Sequence, residues 1–341
     1  MFNDLQDFAQ KLAVLPKADV AARERARVRQ AQLTKPPGSL GRLEELAVFL
    51  AGWSESGQPC VDKAKTAIFA GNHGVTAQGV SPYPSEVTAQ MVANFENGGA
   101  AINAITAAVG AELDVFGLRL ESPTGDITVG PAMTEAELLE ALNVGAGAVT
   151  ADVDILAVGE MGIGNTTVAA ALSASSFGGS GAHWAGPGTG LDDKGVGKKA
   201  DVIDCALALH SHVSSAVDRL RCLGGRELAA IAGAVLAARH QHCPVVIDGY
   251  VATAAIAPLF ADNSDITAHC VAGHRSAEPA HGALLGKLGL TPVLDLDMRL
   301  GEGTGATLAL AVLRAAAAAH NRMATFEEAS VANRTSGSGD A

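Results

Sequence analysis

A glutamate framed by glycines between a strand and a helix constrains this chain more than any other feature. Gly301-Glu302-Gly303-Thr304-Gly305 follows Pro292-Val293-Leu294-Asp295-Leu296, which reads as a buried strand, and precedes an Ala/Leu-rich helix over about 306–319. Glycine backbones leave room for close approach, and a helix N-terminus attracts anions. The arrangement occurs twice. Ile155-Leu156-Ala157-Val158 runs into Gly159-Glu160-Met161-Gly162-Ile163-Gly164-Asn165-Thr166-Thr167 and then into an alanine-rich helix. Two such glutamates at two strand ends point to one site with two acidic groups. Position alone leaves open which of them is a base.

Loops of this kind need strands that alternate with helices, and the rest of the chain supplies them. Strands are expected at 66–70, 113–116, 244–248 and 266–272, with helices at 86–95, 100–108, 192–210, 228–239 and 251–260. Thr134 opens a further helix as N-cap, with Glu135 and Glu137 in its first turn. The fold expected is α/β: a mostly parallel, Rossmann-like sheet with helices on both faces. Residues 61–305 form its large domain. Residues 1–60, helical with a break at Pro16, join 306–325 in a small helical lobe, and 326–341 read as a disordered tail.

Composition supports this reading and excludes others. Hydrophobic residues make up 48% of the 341 while aromatics make up 4%, so the core must be Ala/Val/Leu/Ile packing with helices lying close to strands. A net charge of −12 argues against a nucleic-acid surface, which needs clustered Lys and Arg. No stretch reads as a signal peptide or a membrane span. The five cysteines show no C-x-x-C spacing and fit a reducing compartment, so a cytoplasmic location is expected.

The loop at 162–167 can cradle a phosphate with successive amides, a helix N-terminus and the hydroxyls of Thr166 and Thr167. It is no Walker A loop, and a full dinucleotide fingerprint is missing. The histidines lack metal-site spacing, and no nucleophile elbow occurs, so neither a metal nor covalent catalysis is expected. Asn72 and His73 lie at a strand end, with a structural role favoured for His73. Lys35-Pro36-Pro37-Gly38 reads as a rigid linker or a ligand contact.

Taken together, several stretches resemble one family. They are Lys35-Pro36-Pro37-Gly38-Ser39-Leu40-Gly41, Gly71-Asn72-His73-Gly74-Val75 with Pro84-Ser85-Glu86-Val87-Thr88, Gly159 to Thr167, Gly186-Pro187-Gly188-Thr189-Gly190, His274-Arg275-Ser276-Ala277-Glu278 and Arg299-Leu300-Gly301-Glu302-Gly303-Thr304-Gly305. In that order, over about 30–320, they resemble the nicotinate-nucleotide–dimethylbenzimidazole phosphoribosyltransferases. The resemblance implies metal- and cofactor-free transfer of phosphoribose from nicotinate mononucleotide to 5,6-dimethylbenzimidazole, giving α-ribazole 5′-phosphate in the cobalamin lower-ligand pathway. It implies Glu302 as the base and Glu160 near the ribose. Phosphate contacts fall on Gly162, Gly164, Asn165, Thr166, Gly188, Ser276 and Lys199, the last chosen over Lys198. The azole pocket falls on Ser81, Tyr83 and Gln90, and the assembly expected is a homodimer.

Overall fold

The computed structural model describes residues 1–54 and 56–332. Six parallel strands form one sheet: β1 (Ala64–Ala70), β2 (Glu112–Gly117), β3 (Ile155–Met161), β4 (Val245–Ile247), β5 (Cys270–His274) and β6 (Pro292–Leu294). Their order across the sheet is β2-β1-β3-β4-β5-β6. The chain therefore moves outward one way from β1 to β2 and the other way from β1 to β3. A crevice opens outside the carboxyl ends of strands at such a switch point. The register sets Ile68 of β1 beside Gly159 of β3, and Phe69 beside Glu160, so the first Gly-Glu pair stands at the lip of that crevice.

The chain divides into two compact units. One comprises residues 1–17 and 63–311, the other residues 18–62 and from 312 on. Residues 1–17, which composition groups with the small helical segment, lie in the larger unit because Phe2, Phe8 and Leu12 are buried in its core. Helix Arg226–His240 of that unit is buried along nearly its whole length. It packs on helix Glu135–Gly147 with backbones in contact. A Cβ on Gly145 would lie 1.7 Å from the Ala230 carbonyl oxygen, and one on Gly233 2.0 Å from that of Leu142. Small residues here replace the missing aromatic bulk.

In the smaller unit, helices Val20–Gln32 and Arg42–Ala51 pack together with the end of helix Thr304–Arg322. Arg29 Nε donates to the His320 carbonyl at 2.9 Å, and Gln30 Nε2 lies 2.9 Å from His320 Nδ1. Lys35 is buried and paired with Glu44 at 2.7 Å, while the Leu40 amide donates to the same carboxylate at 3.0 Å. Glu44 thus ties down the Lys35–Gly41 loop.

Four sequence expectations change. The strand before Gly301 is only three residues long and half-buried, and Leu296 is exposed, because β6 is an edge strand with one neighbour. Residues 264–269 form a 3₁₀ turn, and the strand starts at Cys270. The helix at 251–260 is two short helices, Tyr250–Ala255 and Ala257–Asp262, broken just before Pro258. Residues 326–330 form a hydrogen-bonded turn instead of a loose tail, with the Phe326 amide donating to Gln32 O at 2.9 Å. The rest of the expected tail, 333–341, lies outside the described residues.

Candidate active site

Gly301, Glu302 and Gly303 have φ of 81°, 59° and 72°, three successive residues in the left-handed region. Glycine adopts it freely, whereas a glutamate does so at a cost and only when its surroundings hold it there. Asp248, at the end of β4, supplies that hold. It is fully buried, and its two carboxylate oxygens accept from the Gly303 amide at 3.0 Å and the Ala306 amide at 2.9 Å. The Glu302 amide donates to Glu160 O at 3.2 Å, and Thr304 Oγ1 to Gly301 O at 2.7 Å. Gly159 completes the fit: a Cβ there would come within 2.3 Å of the Gly303 nitrogen.

The two glycine-framed glutamates therefore meet. Glu160 Oε1 lies 2.7 Å from where a Cβ on Gly301 would stand, and Glu160 Oε2 accepts from Asn165 Nδ2. Both side chains line one cavity of about 630 Å³ with Tyr83, Val87, Met91, Gly162, Asn165, Thr166, Gly188, Ser276, Glu278 and Arg299. Burial raises both carboxyl groups. Glu160 moves to about 8, with the Asp248 and Glu227 charges adding to burial, and Glu302 to about 7, with Asp248 adding to it. Near neutral pH, Glu160 holds its proton while Glu302 is poised to accept one.

Next to Glu160 the helix Asn165–Phe177 presents its N-terminus, turned by Gly164 at φ 90°. Beside it Lys199, 1% exposed, donates to Thr166 Oγ1 at 3.0 Å and to Gly186 O at 2.9 Å. Burial lowers the lysine to about 8, while nearby Glu278 pulls it the other way. Glu278 itself is raised by burial, and its Oε1 accepts from the Gly188 amide at 3.4 Å. A helix N-terminus, a hydroxyl and a buried ammonium lie together here, groups of the kind that can hold an anion.

Of the residues singled out from sequence, Glu160, Glu302, Gly162, Asn165, Thr166, Gly188, Ser276 and Tyr83 border the cavity. Lys199 sits directly behind Thr166, whereas Lys198 is exposed, its Nζ 2.9 Å from the Cβ position of Gly79. Gly164 does not border the cavity; it makes the turn, and its free side faces Thr76. The amide cradle is also narrower than expected. Ile163 N donates to Thr88 Oγ1 at 3.1 Å, Asn165 N to Gly162 O and Thr167 N to Gly164 O. Ser81 is at the rim, its Oγ 3.5 Å from Thr189 Oγ1. Gln90 is exposed and does not border the cavity, because helix Glu86–Glu96 turns Val87 and Met91, one turn apart, toward it.

Asp248 and Glu227 escaped the sequence reading. Asp248 carried a signal, since Ile247-Asp248-Gly249 repeats the pattern of an acid before glycine at a strand end. Glu227 carried none. It is fully buried 2.6 Å from His73 Nε2, and both lie 3.1 Å from the Cβ position of Gly162, forming the floor beneath the cradle. His73 is thus part of this floor.

A family model described as Phosphoribosyltransferase matches residues 15–331. The nicotinate-nucleotide–dimethylbenzimidazole phosphoribosyltransferase of Novosphingobium aromaticivorans is 55% identical over 333 residues, 97% of this chain and 98% of that one. This chain belongs to the nicotinate-nucleotide–dimethylbenzimidazole phosphoribosyltransferase family. It is accordingly an enzyme, a pentosyltransferase. The Ruegeria pomeroyi member is 53% identical over 97% of this chain and 98% of its own. A crystal structure of the Thermus thermophilus family member is 39% identical and superposes with a TM-score of 0.86 over 93% of this chain and 100% of its own. The two chains share one α/β fold. Among the described residues no helix is long and apolar enough to cross a membrane.

Proposed function

We propose that this enzyme transfers phosphoribose from nicotinate mononucleotide to 5,6-dimethylbenzimidazole, with Glu302 as general base and no metal or cofactor. The imidazole-type nitrogen of the acceptor attacks C1′ of the ribose. The C1′–pyridinium bond breaks, its electron pair returns to the pyridine ring, and nicotinate leaves. The proton on the other azole nitrogen passes to the Glu302 carboxylate. Attack opposite the leaving group inverts the anomeric carbon and gives α-ribazole 5′-phosphate, the precursor of the lower ligand of cobalamin. Glu160, protonated near neutral pH, serves as a hydrogen-bond donor to the ribose. Lys199, Thr166, Gly188 and Ser276 hold the 5′-phosphate, and Tyr83, with Val87 and Met91, faces the azole.

One observation carries this reading: a carboxyl group raised to about 7 shares a single cavity with a helix N-terminus, and a buried lysine stands directly behind that helix's Thr166. A positively charged pyridinium is already a good leaving group, so the acceptor's proton is the one that needs a protein partner. The relatives' names agree with both substrates. Incubation with nicotinate mononucleotide and a panel of azoles, with products resolved by mass spectrometry, tests the proposal. Binding of both substrates without any ribazole phosphate sinks it. The same reading takes the enzyme as a cytoplasmic homodimer. The free thiols of Cys205, Cys222, Cys243 and Cys270 support a reducing compartment, and sedimentation equilibrium tests the dimer.

A further inference from the structure

Nicotinate mononucleotide carries two anions, the 5′-phosphate and the carboxylate on its pyridine ring. Lys199 and the amides near Thr166 suit the first. The second must leave water for a cavity that already holds the Glu278 and Glu302 carboxyl groups, which is unfavourable unless a cation faces it. Among the described residues that line the cavity, Arg299 is the one cationic side chain. Other cations nearby are engaged or turned away. Arg275 pairs with Asp295 at 2.8 Å, and Lys198 lies against Gly79.

Arg299 is exposed at the cavity mouth, three residues before Glu302 on the same loop. Its Nη1 donates to Gly188 O at 3.3 Å, a bond that ties the guanidinium across the opening. The remaining N–H groups make no hydrogen bond or ion pair among the described residues, with Glu278 near enough to feel the charge, and they offer the planar fork that suits a carboxylate. Leu300, next in the chain, lines the same wall with an exposed apolar side chain against which a flat ring can lie.

We propose that Arg299 grips the pyridine carboxylate of the donor and makes this site select a nicotinate nucleotide over its carboxamide counterpart. The two donors differ at that position by one charge and by an NH₂ group, which would meet the guanidinium donor to donor. The contact also strengthens during the reaction. In the bound nucleotide, the positive pyridinium offsets part of the carboxylate's charge. As the C1′–N bond breaks, that offset vanishes and the departing nicotinate becomes a full anion facing Arg299. An interaction stronger in the transition state than in the ground state raises kcat as well as affinity.

The proposal rests on the phosphoribosyl-transfer reading above, and its test separates the two. Single-turnover rates and kcat/KM are measured with nicotinate mononucleotide and nicotinamide mononucleotide for the native enzyme, Arg299→Ala and Arg299→Lys. Charge-assisted hydrogen bonds of this kind correspond to about 10–100-fold, so Arg299→Ala should lower the acid-to-amide ratio of kcat/KM by about that factor. Part of the loss should fall on the single-turnover rate, and Arg299→Lys should recover some of it by restoring the charge without the fork. An equal fall with both donors would make Arg299 a phosphate or loop contact and overturns the proposal, as does an unchanged ratio. In parallel, calorimetry gives the Kd of free nicotinate and of nicotinamide for the same proteins. If no ribazole phosphate forms at all, the transfer reading falls. A nicotinate-specific weakening in Arg299→Ala would still uphold the carboxylate site, and its absence would remove it.

Discussion

Glu302→Gln keeps the side chain's size while removing its ability to accept a proton, and the structure gives the expected size of the effect. Burial, with the Asp248 charge second, raises Glu302 from 4.5 to about 7. A group with that value is ionised to about 10% at pH 6 and about 90% at pH 8, so a rate that needs the carboxylate rises roughly 10-fold between them. A glutamate left at 4.5 would be about 97% ionised already at pH 6, and the rate would change by only about 3%. Single-turnover formation of ribazole phosphate, followed by quenched flow with enzyme in excess and both substrates below their KM, reads kcat/KM without product release and so reports the ionisation of the ligand-free enzyme. At pH 8 the Gln variant should be slower by about 10²–10⁴-fold, and its residual rate should lose the rise between pH 6 and pH 8. Nicotinate mononucleotide should still bind. A native enzyme with a flat profile over that interval, or a Gln variant within a factor of about ten of native, refutes the assignment of Glu302 as base.

Lys199→Ala should raise the KM for the nucleotide far more than that for the azole, because the ammonium sits behind Thr166, where the proposed function puts the 5′-phosphate. Equal effects on both KM values would take Lys199 out of the phosphate site. His73→Phe leaves the Glu227 carboxylate buried and without its partner, which should cost about 3–5 kcal/mol of stability in urea unfolding. A loss under about 1 kcal/mol would mean the pair is not held as drawn. Glu160 has a folded value, about 8, above its ordinary 4.5. Its contribution to stability is therefore fully present below about pH 4.5 and is lost as pH climbs toward 8. Glu160→Gln should then gain stability relative to native as pH rises from 5 to 8, read as a widening difference in urea midpoints. A constant difference would contradict the raised value.

Much of this protein is legible in its sequence. Glycines around Glu160 and Glu302 marked two strand-to-helix loops, and the alternation of strands with helices required a parallel sheet whose loops share one edge. Such signals are local: a glycine spacing or an apolar run has the same meaning wherever the chain finally goes. The motifs are also enough to point to its family, whose model matches residues 15–331.

Only the tertiary structure decided which distant groups became neighbours. Asp248 holds the Gly303 and Ala306 amides across 55 and 58 positions of sequence, and nothing near Asp248 in the chain announces that partnership. Glu227 pairs with His73 across 154 positions, beneath a loop that belongs to neither. The sequence likewise could not turn Gln90 outward and Met91 inward, or separate Lys199 from Lys198, since each outcome depends on how a helix rolls against its neighbours. The raised values of Glu160 and Glu302 have the same origin. A carboxyl group's affinity for its proton depends on how much water and how many other charges surround it, and folding alone sets both.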